Sequence, residues 1–147
     1  MWLLPLVALA PAALAAVILG VSAPGNVGVA PENKQVEQLI RAATTTSGDL
    51  LEVPDGPLEL LVSKYHIGSR AALPVHKHPY PRFGYVLSGS LMVTNSESHH
   101  AKVFNAGQVI VEDVDRWHEA RNLQAQPVEL LVIDLVKPGA GNLILRQ

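Results

Sequence analysis

The sequence predicts an all-β domain, either a sandwich or a small barrel, behind an apolar leader. Short runs of aliphatic, β-branched and aromatic residues recur from Leu58 to Val136. Turn residues separate these runs at intervals of about eight to twelve residues, which is typical of sandwiches and barrels. Beyond Ala43, the apolar residues follow no helical spacing, so no helix is expected there.

Turn residues divide this domain into eight predicted strands. In the first turn, Val53-Pro54-Asp55-Gly56-Pro57, proline presets φ and glycine accepts a positive φ. Strands are predicted over residues 58–67, 73–78, 84–87, 90–94, 102–105, 109–112, 117–120 and 128–136. A barrel of about eight strands can hold one small ligand. We place the barrel at residues 58–137, and we expect regular structure to end at Pro138, which leaves residues 138–147 as a C-terminal tail.

Residues 32–57 form a predicted arm in front of the barrel. Val36, Leu39, Ile40 and Ala43 have helical spacing, but three consecutive threonines follow them and favour a strand. A short helix and an extended arm both remain open.

The leader is the uncharged segment from Met1 to Pro31. Residues 2–21 are almost wholly apolar and are about long enough to span a bilayer as a helix. They also fit the apolar part of a signal peptide, although no Lys or Arg precedes them and proline follows both small-x-Ala sites. We predict a signal peptide or transmembrane anchor at residues 1–23 and a linker at 24–31. The protein would then be exported to the periplasm or cell envelope, anchored to the inner membrane by residues 2–21 if the leader is not cleaved.

Composition excludes several classes of function. The formal net charge is −2, so no basic field attracts nucleic acid. The chain has no cysteine, which excludes disulfides, thiolate metal sites and cysteine nucleophiles. It also lacks a Gly-x-Ser-x-Gly elbow, a phosphate-binding glycine loop and a His-Glu-x-x-His helix.

The most informative stretch contains His76-Lys77-His78. Strand side chains alternate between faces, so a strand here would direct both imidazoles to one face. Two neutral imidazoles on one face are half of a metal site.

Two series of residues resemble the two sequence motifs of the cupin superfamily. The first series is Gly68, His76, His78 and Gly89, and the second is Gly107, His118 and Asn122. The resemblance implies a small cupin-type β-barrel, a jelly-roll-like double-stranded β-helix of two antiparallel sheets with a metal near its centre. It implies His76, His78 and His118 as ligands of a divalent transition metal, which could be Fe, Zn, Ni, Cu or Mn. Because cupins commonly dimerise, it also implies a homodimer.

One departure from the motif affects the metal site. Arg82 stands where the family has a glutamate ligand, and a guanidinium cannot coordinate a metal. Arg82 either pairs with Asp113, Asp115 or Glu119 at the barrel rim, or binds the carboxylate of a substrate.

Two further carboxylates bear on the predicted site. Glu112 is either a fourth metal ligand or a rim carboxylate: it lies an even six residues before His118, but the turn at Asp113–Asp115 is expected to break the strand between them. We expect Asp134, within the last strand, to point outward.

Three functions follow from this reading. The first is a metal-dependent enzyme of dioxygenase or isomerase type that acts on a small organic substrate. The second is a non-catalytic module of the cell envelope that binds or senses a small ligand or a metal. The third is an envelope assembly protein, with the barrel as a dimerisation block and the leader as its membrane attachment.

Overall fold

The computed structural model describes residues 35–147, and the predicted leader and linker lie outside them. No helix within the described residues is long and apolar enough to cross a membrane. Residues 37–147 form one compact unit, which is described here by itself. Its strands are β1 (Glu59–Ile67), β2 (Ala72–Lys77), β3 (Arg82–Ser88), β4 (Ser90–Asn95), β5 (Ala101–Asn105), β6 (Val109–Val111), β7 (His118–Arg121), β8 (Val128–Val136) and β9 (Ile144–Leu145).

These strands form two antiparallel sheets that pack face to face. One sheet has four strands in the order β1-β8-β3-β6, and the other has five in the order β5-β4-β7-β2-β9. The predicted all-β, two-sheet barrel is therefore confirmed, while the apolar helix predicted in front of it lies outside the described residues.

Strand β8 shows how the sequence builds the core. Buried and half-buried residues alternate along its whole length, because strand side chains point to opposite faces in turn. Its inward side chains include Val128, Leu130 and Val132, which pack with Val86 of β3 and Leu91 of β4. The core thus joins both sheets and fixes the strands that carry the candidate site.

Gly89 joins the two sheets between β3 and β4. Its φ is +79°, a conformation that L side chains rarely adopt. A Cβ atom there would also lie 3.0 Å from the carbonyl oxygen of Pro127 and 3.0 Å from Cγ2 of Val128. Glycine is therefore required where the chain crosses from one sheet to the other.

The structure corrects one prediction about the end of the domain. Regular structure does not stop at Pro138, because residues 144 and 145 form β9 and pair with Lys77 and His76 of β2. A two-residue edge strand is too short to produce a periodic signal in the sequence. The segment that was predicted as a tail thus lies beside the histidine pair.

The arm has no helix over the described residues 35–57, and a turn at residues 46–47 joins Thr44 and Leu50, which pair as an antiparallel bridge. Thr46 donates its backbone N–H to the carbonyl of Val111 at the end of β6. The Asp113 carboxylate accepts hydrogen bonds from the backbone N–H of Ser47, at 2.9 Å, and from the Ser47 hydroxyl. Asp113 thus holds the arm against the barrel.

We expect Asp113→Ala to lower the free energy of unfolding by about 1–3 kcal/mol, because the arm loses the two charge-assisted hydrogen bonds from Ser47 to the buried carboxylate. Burial acts to raise the pKa of Asp113, but the hydrogen bonds from Ser47 prevail and hold it below its ordinary value. The contribution of this carboxylate is therefore present above the carboxyl pKa of the unfolded chain and is lost as the pH falls through the folded-state pKa.

Urea denaturation at pH 7 and at pH 3 measures the loss of stability in Asp113→Ala and its dependence on pH. Asp55→Ala, in an exposed turn, serves as the control and should change little. An Asp113→Ala protein as stable as the parent at pH 7 would contradict this account of the arm.

Candidate metal centre

Three buried histidines converge between the sheets. His76 lies on β2, His78 follows directly after that strand, and His118 begins β7. His76 and His118 are paired across the two strands. The ring centroids lie 4.9 Å apart for His76–His78, 4.4 Å for His76–His118 and 5.0 Å for His78–His118. The structure thus brings together the three histidines that the sequence predicts as ligands.

Glu112 reaches the same point from the opposite sheet. Its Oε2 lies 3.0 Å from Nε2 of His78 and 3.1 Å from Nε2 of His118. One ligand atom from each of these four side chains lies within 4.8 Å of the others. The expected strand break is real, since β6 ends at Val111. It does not separate the residues, because β6 and β7 face each other from different sheets.

Backbone carbonyls orient all three imidazoles. Nδ1 of His76 lies 2.7 Å from the carbonyl oxygen of Pro74, and Nδ1 of His118 lies 3.0 Å from that of Arg116. Nδ1 of His78 lies 2.6 Å from the carbonyl oxygen of Asn142. A carbonyl only accepts, so each Nδ1 carries a proton, and a ring that is neutral has its lone pair on Nε2. This is the tautomer in which histidine binds a metal through Nε2.

The charges of the cluster are strongly coupled. Burial, together with the neighbouring histidines, lowers the pKa of His76 to about 4, so its ring is neutral at pH 7. Burial would also lower the pKa of His118, but the hydrogen bond and charge of Glu112 prevail and raise it. Burial would raise the pKa of Glu112, but the hydrogen bond from His118 and the charges of the histidines hold it well below its usual range. Glu112 is therefore an ionised carboxylate within a buried site.

One buried nitrogen atom indicates that these residues fit a metal ion. Nε2 of His78 is fully enclosed and makes no hydrogen bond within the described residues. When the ring is neutral with its proton on Nδ1, the lone pair of Nε2 faces the carboxylate oxygen of Glu112. Two hydrogen-bond acceptors then oppose each other. A buried acceptor without a partner is costly, and a cation between the two atoms would satisfy both.

Arg82 lies beside this cluster and is buried against Asp134. The two residues are directly paired on β3 and β8. Nε of Arg82 donates to Oδ1 of Asp134 at 2.7 Å, and Nη2 donates to Oδ2 at 3.0 Å. The expectation that Asp134 points outward is wrong, and so is pairing of Arg82 with Asp113, Asp115 or Glu119. Arg82 and Asp134 both point inward at directly paired positions of β3 and β8. Each buried charge therefore has the partner that it needs.

Asn142 connects this ion pair to the histidines. Its Nδ2 donates to Oδ1 of Asp134 at 2.6 Å, and its Oδ1 accepts the backbone N–H of Tyr80 at 2.9 Å. Its own carbonyl is the acceptor for His78. Sequence reasoning missed Asn142, because it lies 64 residues from His78 and belongs to no motif.

A small cavity of about 120 Å³ adjoins the four candidate ligands, and we call it the apolar cavity. His76, Glu112, His118 and Arg82 contribute to its lining. Aliphatic side chains form most of the remaining wall, among them Leu73, Val93, Leu130, Val132, Leu143 and Leu145.

The other histidines lie away from the cluster. His66 is exposed on β1 and contacts Glu129 at 2.6 Å, and His99 and His100 are exposed in the loop between β4 and β5.

Comparison with known proteins identifies the fold family. Residues 63–134 match the Cupin domain family, Cupin_2. The barrel has the cupin-type fold. The match spans β2 to β7 and most of β1 and β8, so all four candidate ligands of the cupin barrel lie within it.

Solved structures agree on the fold. A protein with a double-stranded β-helix domain from Klebsiella pneumoniae has a TM-score of 0.50 and 20% identity, over 60% of this chain and 75% of that one. The DMSP lyase DddQ from Ruegeria pomeroyi has a TM-score of 0.52 and 19% identity, over 58% of this chain and 42% of that one. An oxalate oxidase has a TM-score of 0.50 and 18% identity, over 58% of this chain and 45% of that one. Comparison with curated protein sequences finds no match.

We expect Asp134→Ala to lower the free energy of unfolding by about 3–5 kcal/mol, because it leaves the Arg82 guanidinium buried without a partner. The double variant Arg82→Met/Asp134→Leu should recover most of the loss, since no charge is then left unpaired. Glu129→Ala is the control, because Glu129 lies on the same strand but pairs at the surface. Thermal and urea unfolding measure all three proteins. Equal losses for Asp134→Ala and Glu129→Ala would refute the assigned role of the buried pair.

We expect Asn142→Ala to weaken zinc binding about 10- to 100-fold, because the side chain fixes the carbonyl that orients His78. Competition against a chelating dye measures the affinity, and circular dichroism checks the fold. Asn105→Ala, at an exposed position of β5, should bind zinc as the parent does. If a folded Asn142→Ala protein keeps the parent affinity, Asn142 does not position the ligand.

Proposed function

We propose that this cupin domain binds a divalent transition metal through His76, His78, His118 and Glu112, and holds a small organic ligand in the apolar cavity beside it. The observation that carries the proposal is the orientation of the three imidazoles. Each has its Nδ1 proton committed to a backbone carbonyl, and Nε2 of both His78 and His118 lies about 3 Å from one carboxylate oxygen.

The donor set limits the choice of metal. Three imidazoles and one carboxylate suit Fe, Zn, Ni, Cu and Mn, and they give a protein charge of −1 toward a divalent ion. Glu112 replaces the carboxylate that the family motif places at Arg82, so the carboxylate is relocated rather than lost. When bound, the ion would supply Lewis acidity toward a ligand oxygen.

A second candidate function is catalysis of dioxygenase or isomerase type at the same centre. The position of the cavity supports it, because a molecule there lies against the candidate ligands. The fold neighbours include a lyase and an oxidase, and this is compatible with enzymatic use of the barrel. Oxygen consumption and product analysis over a panel of small acids, diketones and phenols separate an enzyme from a binding module.

We expect the purified protein to bind about one equivalent of zinc, and His118→Ala and Glu112→Gln to reduce the affinity by at least about tenfold. Metal analysis after loading and dialysis gives the stoichiometry, and isothermal titration gives the affinity. His99→Ala, an exposed histidine of the same chain, should bind as the parent does.

A parent protein that retains no zinc, iron, nickel, copper or manganese under aerobic and anaerobic loading would refute the proposed function. If His99→Ala and His118→Ala lose zinc binding equally, the metal does not bind at the proposed centre.

Export, membrane attachment by the leader and a homodimer stay predictions from the sequence. Cell fractionation of the full chain, beside a chain that lacks residues 2–21, tests the first two. Analytical ultracentrifugation tests the third.

A further inference from the structure

We propose that the ligand of this site is a small monocarboxylate with an apolar body of about five or six non-hydrogen atoms. This inference rests on the proposed metal centre. It follows from the size of the apolar cavity, from its lining and from the sum of the buried charges around it.

The cavity limits the size of the ligand. Its volume is about 120 Å³. For comparison, an engineered protein cavity of about 150 Å³ holds one benzene molecule. Nucleotides, sugars and other large metabolites do not fit, whereas a short aliphatic chain does.

The lining limits the chemistry of the ligand body. Along the part of the chain that the structure describes, it contains no Ser, Thr, Asn, Gln or Lys side chain, and Tyr65 is its one residue with a hydroxyl group. A ligand with several hydroxyl groups would leave most of them without hydrogen-bond partners. Leu73, Val93, Leu130 and Val132 instead offer apolar contact, so the body of the ligand is a hydrocarbon.

The buried charges determine the charge of the ligand. Arg82 and Asp134 neutralise each other. Glu112 contributes −1 and the three imidazoles are neutral in the metal-binding tautomer, so a divalent ion leaves a net charge of +1. An unbalanced charge next to an aliphatic wall is costly, and one carboxylate on the ligand balances it. A second carboxylate would lie buried against that wall.

Arg82 supplies a hydrogen-bond donor for this carboxylate. Asp134 accepts one N–H of Nε and one of Nη2, so the second N–H of Nη2 and both N–H groups of Nη1 are left for a ligand. Arg82 lines the same cavity as His76, His118 and Glu112. The substrate contact that the sequence offers as one alternative for Arg82 therefore stays available, as a charge-assisted hydrogen bond from these free N–H groups.

The test uses the full protein loaded with Co²⁺, whose visible absorption reports on its ligands. Hexanoate, hexanamide and adipate share a six-carbon chain and differ in charge, so they are titrated in parallel and followed by absorption and calorimetry. We expect hexanoate to change the cobalt spectrum and to bind at least about tenfold more tightly than hexanamide or adipate, because only hexanoate balances the charge.

Three variants locate the binding. Val93→Phe fills the cavity from an inward position of β4 and should abolish hexanoate binding while cobalt still binds. Val103→Phe makes the same change at an exposed position of β5 and should have no effect. Arg82→Lys keeps the positive charge opposite Asp134 but loses the guanidinium N–H groups that are left for a ligand. It should weaken hexanoate binding about tenfold.

Each failure has a distinct meaning. A protein that binds no cobalt overturns both the metal centre and this inference. A protein that binds cobalt but takes hexanamide or adipate as tightly as hexanoate overturns the ligand class alone. Unchanged hexanoate binding in Val93→Phe overturns the assignment of the cavity.

Discussion

Three backbone carbonyls determine what the candidate centre can do. Those of Pro74, Arg116 and Asn142 each accept the Nδ1 proton of one histidine. An imidazole held in this way has one nitrogen left, and its direction is fixed by the main chain rather than by a flexible side chain. The barrel supplies this constraint. The pairing of β2 with β7 and with β9 brings the three carbonyls to the three histidines.

The geometry of the barrel also explains why Glu112 supplies the carboxylate of the candidate centre while Arg82 stands at the position of the family's glutamate. The centre needs one negative charge, and Glu112 provides it from the four-stranded sheet, while Arg82 at the usual glutamate position turns to Asp134 on the neighbouring strand. Two departures from the family pattern therefore compensate each other. The result is a centre with a familiar donor set and an additional buried ion pair beside its cavity.

The sequence predicts the fold and the three histidines of the candidate site, for specific physical reasons. Alternation along β8 and the turns between strands are local patterns, so they are visible without a structure. His76 and His78 share a face by period two, and a second motif supplies His118.

Apart from β9, which is too short to show a period, the errors involve contacts between residues that are distant in the sequence. The orientation of Asp134 depends on its register with Arg82, and the role of Asn142 depends on a segment 64 residues from His78. Glu112 was considered for the wrong reason, since it meets His118 across the barrel and not along one strand.

The separation of His78 from Asn142 along the chain also bears on the order of folding. The hydrogen bond that fixes the His78 ring closes a loop of 64 residues, whereas the ladder between β4 and β5 forms across a short hairpin. Contacts of high sequence separation carry the largest loop-closure entropy and tend to form late. The carbonyl of Asn142, the third that orients a histidine, lies between β8 and β9 and is in place only when these last strands have joined the barrel. The complete set of oriented nitrogens therefore forms in the nearly native protein and not in the unfolded chain.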